Sequence, residues 1–303
     1  MTAVELLGVD WGSTSVRAFC IAADGGVVAA RRAEDGVLSG TGRFDLRLRR
    51  LLGDWLEQWP AAPIVLCGMV GSDRGWVHAP YVTAPCGLDA LGADLATAPF
   101  DRPVHIVPGV SSINGGMCEV MRGEETLLMG LCNPGQAVTV CLPGTHTKWV
   151  ELIDGRIASF RTYMTGELRA SLLAGGALAT SVPQVASPAA FLNGFAASQS
   201  DAALARNLFQ ARARRLLGML APEHTASFVS GVLVGDEIGR EVRLVVNRTP
   251  RMVLVARDAL AREYEAAFTQ AGVAAEIADP EQLAARGLLR IARRTAPSRN
   301  GAM

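Results

Sequence analysis

Two stretches of the chain repeat the same order of apolar strand, polar turn and second strand. They read "LLGVDWGSTSVRAFCIAADGGVV" and "AVTVCLPGTHTKWVELIDGRI". The aligned turn residues are Gly12, Ser13, Thr14 and Ser15 in the first stretch and Gly144, Thr145, His146 and Thr147 in the second. An internal repeat of whole hairpin units predicts two similar α/β lobes, each opening with a β-hairpin whose turn faces the other lobe.

The repeated turns have a composition suited to phosphate binding. Glycine, serine and threonine in a tight turn expose backbone N–H groups and hydroxyls, which can surround phosphate oxygens. Asp10 directly precedes the first turn, where a hydrated Mg²⁺ would use one or two carboxylates; the alternative is an ordinary turn acid. Neither turn matches G-x-x-x-x-G-K-[ST], and the chain has no G-x-G-x-x-G, so the sequence disfavours those two nucleotide-binding folds.

Charge and composition exclude several classes of function. The 303 residues include 29 basic and 29 acidic side chains without a long run of one sign, which argues against nucleic acid or a membrane surface as partner. No stretch approaches the roughly 20 apolar residues that span a bilayer. The six cysteines form no C-x-x-C pair, so we expect reduced thiols in a cytoplasmic protein rather than a zinc site. The oligomeric state stays open, with a homodimer as one option.

Periodicity predicts the remaining elements. We expect one helix over "RFDLRLRRLLGDWLEQWP", a single strand at "HIVPGVSS" and a mostly helical segment from Gly116 to Leu131. After Gly166 the chain is expected to be largely helical. The stretch "PEQLAARGLLRIARR" predicts a final amphipathic helix.

Five blocks of sequence carry a resemblance to a known family: "VDWGSTSVRAF", "GMVGSDRGW", "VMRGEETLLMG", "LPGTHTKWV" and "FRTYMTGEL". In this order they resemble the 2-dehydro-3-deoxygalactonokinase family of the actin/hexokinase/Hsp70 superfamily, over about residues 6–292. The resemblance implies an α/β fold of two ribonuclease-H-like lobes with a cleft between them, at residues 1–132 and 133–303, the last helix packing back on the first lobe. It also implies ATP- and Mg²⁺-dependent phosphorylation of the terminal (6-) hydroxyl of 2-dehydro-3-deoxy-D-galactonate, a small sugar acid, in galactonate and galactose catabolism.

The acceptor hydroxyl of such a substrate needs a general base or an orienting carboxylate. In the superfamily that the chain resembles, a catalytic acid begins the helix that precedes the second phosphate turn. Glu124 in "RGEET" stands at that place, although many relatives have Asp there, and Glu125 is the second candidate. The alternative interpretation is that both acids only favour a helix N-terminus through its dipole.

Candidate substrate-binding residues follow a buried strand. The loop after "PIVLCGMVGS" lies where ligands meet α/β sheets, and Arg74 is a candidate partner for the substrate carboxylate. An exposed loop arginine with no ligand is the alternative. The candidates in this region are Ser72, Asp73, Arg74, Trp76, Ser112 and Asn114.

Further residues are assigned by the resemblance to the nucleotide or to the second lobe. Arg17, His146 and Lys148 are expected near phosphate oxygens, although a strand-edge lysine is also ordinary. Glu167 in "MTGEL" is expected to orient substrate or metal-bound water, or to cap a helix.

One block departs from the family that the chain resembles. Arg257 and Asp258 stand where that family usually has a glycine that lets the backbone approach the adenosine. Arg257 would either narrow the adenine pocket or stack on the base. Three alternatives therefore stay open: a kinase of another sugar or 2-oxo-3-deoxy sugar acid, a non-catalytic sugar-acid-binding regulator, and an ATPase switch of the actin/Hsp70 kind.

Overall fold

The structure, a computed structural model, describes residues 3–40, 42–245 and 251–294, with Asn114 and Val245 described by their backbone only. Its contacts divide the chain into two compact units. Unit 1 comprises Met1–Gln136, Glu151–Phe160 and Asp279–Met303, and unit 2 comprises Ala137–Val150 and Arg161–Ala278. The boundary between residues 132 and 133 stays a prediction. Within the described ranges, no helix has both the length and the apolar character needed to cross a membrane.

The strands are, in chain order, β1 (Val4–Trp11), β2 (Val16–Ala22), β3 (Val27–Ala33), β4 (Ile64–Gly68), β5 (Tyr81–Thr83), β6 (Cys86–Gly87), β7 (Ala96–Ala98), β8 (Val104–Ile106), β9 (Gly109–Asn114), β10 (Met117–Met121), β11 (Ala137–Leu142), β12 (Thr147–Ile153), β13 (Arg156–Tyr163), β14 (Met252–Val255) and β15 (Glu276–Ala278). The helices are α1 (Phe44–Leu52), α2 (Trp55–Gln58), α3 (Leu88–Ala93), α4 (Glu124–Leu131), α5 (Thr165–Ala174), α6 (Pro188–Ser198), α7 (Leu204–Leu216), α8 (Thr225–Val245), α9 (Asp258–Gln270) and α10 (Pro280–Ala292). Short 3₁₀ helices occupy Met69–Gly71, Gly176–Leu178 and Pro222–His224.

Unit 1 is built on a six-stranded sheet of order β3-β2-β1-β4-β8-β7. The first three strands form an antiparallel meander, whereas β4 runs parallel to β1 and β8 runs parallel to β4. Its core joins the sheet to α1 through buried side chains such as Trp11, Leu48 and Ile64. Trp11 at the end of β1 pairs with Gly68 at the end of β4. The carboxyl ends of the two strands therefore lie side by side, and the loops that follow them start from one edge of the sheet.

Helices α4 and α10 of unit 1 pack backbone against backbone. A Cβ on Gly287 would clash with the carbonyl oxygen of Thr126, and a Cβ on Gly130 would clash with that of Leu283. Glycine at both places lets the helices approach this closely, because any side chain would separate them. The last described helix thereby fixes the position of α4.

Unit 2 contains a sheet in which β14 pairs in parallel with β11 and with β15. β12 and β13 follow β11 in the sheet order, and their central residues belong to unit 1, where Ile157 pairs with Cys86 of β6. Helix α8 packs against α6, and a Cβ on Gly194 or Gly231 would clash with the facing backbone. This close packing fixes α8 in unit 2.

The repeated hairpin expected from the sequence is confirmed. β1, β2 and β3 reproduce the order of β11, β12 and β13, and each copy has its polar turn after its first strand. The second copy uses Asp154 and Gly155 with positive φ angles of 49° and 76° at its Asp-Gly turn. The final helix is also confirmed as α10.

Three elements differ from the sequence expectation. The single helix predicted before Pro60 is interrupted at Gly53, which has a φ of 52° and donates its N–H to the carbonyl oxygen of Arg49, so that α1 ends there. The predicted helix from Gly116 begins instead as strand β10, because Gly115 and Gly116 form a turn with positive φ and fold it back on β9.

The single strand predicted at "HIVPGVSS" consists of parts of two strands in different sheets. Val107 donates its N–H to the carbonyl oxygen of Leu66 at 2.8 Å, and Pro108, which has no N–H, follows it. The chain leaves the first sheet at that point, and β9 joins the small sheet of order β10-β9-β5.

Candidate active site

The first polar turn (turn 1, residues 12–15) is held by its carbonyl oxygens. The N–H groups of residues 36–38 donate to the carbonyl oxygens of residues 12–14 at 2.9 to 3.0 Å. Gly36 has no room for a side chain, because a Cβ would clash with the turn backbone. Within the described chain, the N–H groups of residues 13–15 donate no backbone hydrogen bond. Turn 1 therefore presents several N–H donors and hydroxyls, an arrangement suited to an anion.

Asp10 lies immediately before turn 1, opposite Arg17 in the register of β1 and β2. Arg17 Nη1 lies 3.9 Å from Asp10 Oδ2 and 3.8 Å from Glu281 Oε1. Burial raises the pKa of Asp10, the charge of Arg17 lowers it, and the negative charge of Glu124 raises it. A carboxylate oxygen beside a phosphate-type turn fits Mg²⁺, which prefers hard oxygen ligands. Among the described residues no group of three or more His, Cys, Asp and Glu side chains is arranged for a metal, so the candidate contact is Asp10 alone.

Glu124 and Glu125 begin helix α4, as expected for a catalytic pair at a helix start. Glu124 is partly exposed, and its Oε2 accepts the N–H of Arg122 at 3.1 Å. Glu125 is fully buried; its carboxylate accepts the N–H of Gly123 at 2.6 Å and the hydroxyl of Thr126 at 3.1 Å. Burial and the charge of Glu124 raise the pKa of Glu125 to about 8, so Glu125 is mostly protonated at neutral pH. The two adjacent acids therefore differ in charge and in exposure.

Two glycines bring the start of α4 against the end of β1. Gly68 has a φ of 91°, and a Cβ there would lie 2.8 Å from the carbonyl oxygen of Trp11 and 3.4 Å from Asp10 Oδ1. A Cβ on Gly123, which has a φ of 109°, would lie 3.3 Å from Gly68 Cα. Cys67 lies in the same place: its pKa is raised well above the ordinary value by burial and then by the charges of Asp10 and Glu125. The structure thus brings Asp10, Glu124 and Glu125 together within unit 1.

The second polar turn (turn 2, residues 144–148) is held by the start of helix α5. Glu167 donates its N–H to the carbonyl oxygen of Thr145 at 2.9 Å, and a Cβ on Gly166 would clash with the carbonyl oxygen of Gly144. His146 Nε2 lies 2.5 Å from Glu167 Oε2, and both side chains are partly exposed. Each polar turn is therefore fixed through its carbonyl oxygens by a separate segment, and this similarity extends the repeat seen in the sequence.

The end of turn 2 is buried, unlike its first three residues. Thr147 is fully buried, and its hydroxyl lies 3.0 Å from the hydroxyl of Tyr264. Lys148 is 4 % exposed, and its Nζ lies 3.4 Å from the carbonyl oxygen of His146. The exposed donors of turn 2 are accordingly on Gly144, Thr145 and His146.

A buried carboxylate that the sequence did not single out lies beneath turn 2. Glu237 of α8 accepts hydrogen bonds from Trp149 Nε1 at 2.8 Å, from the hydroxyl of Tyr264 at 3.2 Å and from the hydroxyl of Thr165. Burial raises its pKa to about 7, and the hydrogen bonds from Thr165 and from Trp149, Tyr264 and Thr147 act against this rise. Its donors come from β12, α5 and α9. Only the fold brings them together, so no sequence motif could have indicated this residue.

A second buried acid lies one helical turn further along α8. Glu241 accepts Nε and Nη2 of Arg161 at 2.8 and 2.7 Å, and the hydroxyl of Tyr163 at 2.8 Å. The two acids bind successive parts of the same corner of the chain, since Arg161 and Tyr163 end β13 and Thr165 begins α5.

The predicted substrate loop follows the 3₁₀ turn after β4. The hydroxyl of Ser72 donates to the carbonyl oxygen of Met69 at 2.7 Å, and Asp73 lies 2.7 Å from the ring of His78. Arg74 is exposed. Trp76 contacts two aromatic rings of the core, those of Phe44 and Phe100, at centroid distances of 6.3 and 6.2 Å. Core packing accounts for the position of Trp76, and its role in substrate binding stays a prediction.

The remaining candidates are placed as follows. Ser112 is buried in β9, and Asn114 ends the same strand, its side chain lying outside the described part. Arg257 is exposed at the position before α9, and Asp258, the first residue of α9, has a positive φ of 55°.

Comparison with known proteins identifies the family. The sequence profile of the family described as 2-keto-3-deoxy-galactonokinase matches residues 10–291. The chain belongs to this family. Among curated relatives of this 2-keto-3-deoxy-galactonokinase family member, the 2-dehydro-3-deoxygalactonokinase of Escherichia coli (strain K12) is 36% identical over 274 residues, which are 90% of this chain and 91% of that protein. The protein DgoK1 of Rhizobium meliloti (strain 1021), which has the same name in provisional form, is 34% identical over 303 residues, with 96% and 98% of the two chains covered.

Solved structures agree with this assignment. A crystal structure of a Sinorhizobium meliloti protein, provisionally assigned as a 2-dehydro-3-deoxygalactonokinase, matches with a TM-score of 0.83 and 32% identity over 96% of this chain and 99% of that one. Component A of the (R)-2-hydroxyglutaryl-CoA dehydratase of Acidaminococcus fermentans matches with a TM-score of 0.51 at 12% identity, over 97% of this chain and 100% of that one, a likeness of fold alone. The α/β fold of the actin/hexokinase-like class, expected from the sequence, is confirmed, as is the kinase family.

Proposed function

We propose that this member of the 2-keto-3-deoxy-galactonokinase family transfers the γ-phosphoryl group of ATP to the 6-hydroxyl of 2-dehydro-3-deoxy-D-galactonate. The observation that carries the proposal is the cluster at the end of β1, where Asp10, turn 1 and the paired acids of α4 meet. Phosphoryl transfer needs phosphate donors, a metal-binding carboxylate and a group that orients the nucleophile. The cluster supplies one candidate for each.

The nucleotide phosphates are assigned to turns 1 and 2. The N–H groups of residues 13–15 would donate to phosphate oxygens, as would the exposed backbone and side chain of Thr145 and His146. Arg17 and Lys148 are proposed to add positive charge near them. When bound, Mg²⁺ would neutralise part of the phosphate charge, and Asp10 is the residue proposed to hold it, directly or through water.

Glu124 is proposed as the residue that accepts the proton of the acceptor hydroxyl. The hydroxyl oxygen forms its bond to the γ-phosphorus while the bond from that phosphorus to the β–γ bridging oxygen breaks. ADP leaves with that electron pair, and the hydroxyl proton moves to the Glu124 carboxylate. Glu125 is the weaker candidate, because it is fully buried, hydrogen-bonded to its own helix start and mostly protonated at neutral pH.

The sugar acid also needs groups that bind its carboxylate and hydroxyls. Arg74 is proposed for the carboxylate, because its guanidinium is exposed and can bind a carboxylate with two parallel hydrogen bonds. Glu167 is proposed to orient the substrate or metal-bound water. The other residues proposed to face the sugar acid or the adenosine are Ser72, Asp73, Trp76, Ser112, Asn114 and Arg257.

The six cysteines, which are all unpaired, fit a reducing compartment, and we propose that the enzyme acts in the cytoplasm. A homodimer is the proposed assembly, and light scattering coupled to size-exclusion chromatography measures it.

A coupled assay of ADP release tests the proposed activity. Purified protein with ATP and Mg²⁺ would be given 2-dehydro-3-deoxygalactonate, its gluconate epimer, or no sugar acid. We expect ADP release with the galactonate compound and much less with the epimer. Turnover that ignores both acids would indicate an ATPase, and binding of the acid without turnover would indicate a regulator; either result contradicts the proposal.

A further inference from the structure

The buried carboxylate of Glu237 joins the two segments that form turn 2. Tyr264 connects it to Thr147 at the end of the turn: its hydroxyl lies 3.0 Å from the Thr147 hydroxyl and 3.2 Å from each Glu237 oxygen. On its other side, Glu237 accepts the hydroxyl of Thr165, the first residue of α5. The next two residues of α5 contact the backbone of turn 2.

We propose that Glu237 is a positioning residue that sets the geometry of turn 2 for the nucleotide phosphates. It is 1 % exposed and contacts the turn only through Thr147, Tyr264 and Thr165, so it acts through other residues and touches no ligand. A buried carboxylate that accepts several hydrogen bonds at once fixes its donors relative to one another, since each unmade bond would leave a buried polar group unpaired. Turn 2 is thereby fixed from both of its ends.

The arrangement has a direct energetic consequence for phosphate binding. A turn can donate its N–H groups to phosphate oxygens only if the groups already point toward one place; otherwise binding has to order them first. Loosening Thr147 or Thr165 would let turn 2 occupy several conformations, and the affinity for phosphates would fall. The adenosine would not be affected in the same way, because turn 2 is assigned to phosphates only. This inference rests on the proposed function of turn 2.

A matched pair of tyrosine variants tests it. Tyr264→Phe removes the hydroxyl that links Glu237 to Thr147, whereas Tyr163→Phe removes a hydroxyl that donates to the neighbouring acid Glu241 at 2.8 Å. Both changes delete one oxygen beside a buried carboxylate of α8, and both leave the ring in place. The measurement is calorimetric affinity for the non-hydrolysable ATP analogue AMPPNP with Mg²⁺, and for adenosine as the ligand without phosphates.

We expect Tyr264→Phe to weaken AMPPNP binding about 10-fold, the size of one lost buried hydrogen bond, with adenosine affinity unchanged. Tyr163→Phe should leave both affinities within about 2-fold, although both variants should lower the melting temperature. Glu237→Gln should weaken AMPPNP binding less than Glu237→Ala, because the amide keeps one acceptor. Equal losses of affinity in the two tyrosine variants, or unchanged AMPPNP affinity in Tyr264→Phe, would overturn the proposal.

This test is independent of the substrate. If wild-type protein binds AMPPNP but does not phosphorylate the sugar acid, the proposed activity fails and the comparison of variants still decides the role of Glu237. In an active enzyme, Tyr264→Phe should raise KM for ATP and leave KM for the sugar acid unchanged. A general loss of folded protein would lower the apparent kcat alone.

Discussion

The N–H of Gly123 donates to a carboxylate oxygen of Glu125 at 2.6 Å, which turns that side chain back onto the start of its own helix. Glu124, the residue between them, is left as the more exposed acid next to Asp10. The same short sequence "RGEET" therefore supplies one structural acid and one candidate base, and the two roles can be separated by mutation.

The first prediction concerns these two acids. Glu124→Gln keeps the size of the side chain and removes its basic oxygen, so turnover should fall by at least about 100-fold, the low end for a lost general base. Glu125→Gln should reduce turnover much less, because Glu125 is already mostly protonated at neutral pH. Steady-state kinetics with ATP and the sugar acid measure both. Near-normal turnover of the Glu124 variant would remove Glu124 from the mechanism.

The second prediction concerns stability and pH. Folding raises the pKa of Glu125 from 4.5 to about 8, so between these values the folded protein binds more protons than the unfolded chain. The free energy of unfolding should consequently decrease as the pH rises from about 5 to 8, as folding then has to accommodate a buried negative charge. Glu237, with a pKa raised to about 7, acts in the same direction.

Urea unfolding of wild type and Glu125→Gln at several pH values checks this dependence. The variant should show a flatter decrease, because the amide does not titrate. Glu57→Gln, a change at an exposed acid of α2, is the control and should follow the wild type. An identical decrease in wild type and Glu125→Gln would show that Glu125 ionises freely in the folded state.

The third prediction concerns Asp10. Asp10→Asn should lower turnover by about 100-fold and raise the Mg²⁺ concentration needed for half-maximal activity, because the amide is a poorer ligand for the ion. Asp24→Asn is the matched control in the same meander, where the carboxylate accepts the N–H of Gly26 at 2.9 Å. The control should keep the wild-type Mg²⁺ dependence. If Asp10→Asn does the same, Asp10 does not hold the metal.

The fourth prediction concerns the contact between α5 and turn 2. A Cβ on Gly166 would clash with the carbonyl oxygen of Gly144, so Gly166→Ala should displace the turn and raise KM for ATP by about 10-fold or more. Gly175→Ala, just beyond the other end of α5, has no atom within 4 Å of the added methyl and should leave KM unchanged. Kinetics at varied ATP measure the difference. Equal KM values would show that turn 2 does not contribute to nucleotide binding.

Much of the framework could be predicted from the sequence, because its signals are local. Strand, turn and strand occur twice in the same order, so both hairpins and both polar turns could be located by alignment within the chain. The errors were also local. "GMCEVM" has an apolar pattern that fits a helix as well as a strand, and its state is decided by pairing with β9. The break after α1 depends on the positive φ of Gly53, which the pattern of apolar residues does not show.

The candidate site was predictable only in part, for a related reason. Asp10 and Glu124 were found because each stands next to a recognisable turn or helix start. Glu237 was missed, because Trp149, Thr165 and Tyr264 reach it from three separate elements and the sequence around it resembles any amphipathic helix. Trp76 was selected for its place in a loop, whereas its contacts with Phe44 and Phe100 emerge only in the folded core.

The central claim is tested most directly by identifying the product. Phosphorus-31 NMR of a reaction of the protein with ATP, Mg²⁺ and 2-dehydro-3-deoxy-D-galactonate resolves both the appearance of a phosphomonoester and the protons coupled to it. We predict a new phosphomonoester signal, coupled to the methylene protons of C6, that grows as ADP forms. Formation of ADP with inorganic phosphate only, or a phosphomonoester at another carbon, would contradict the proposed reaction.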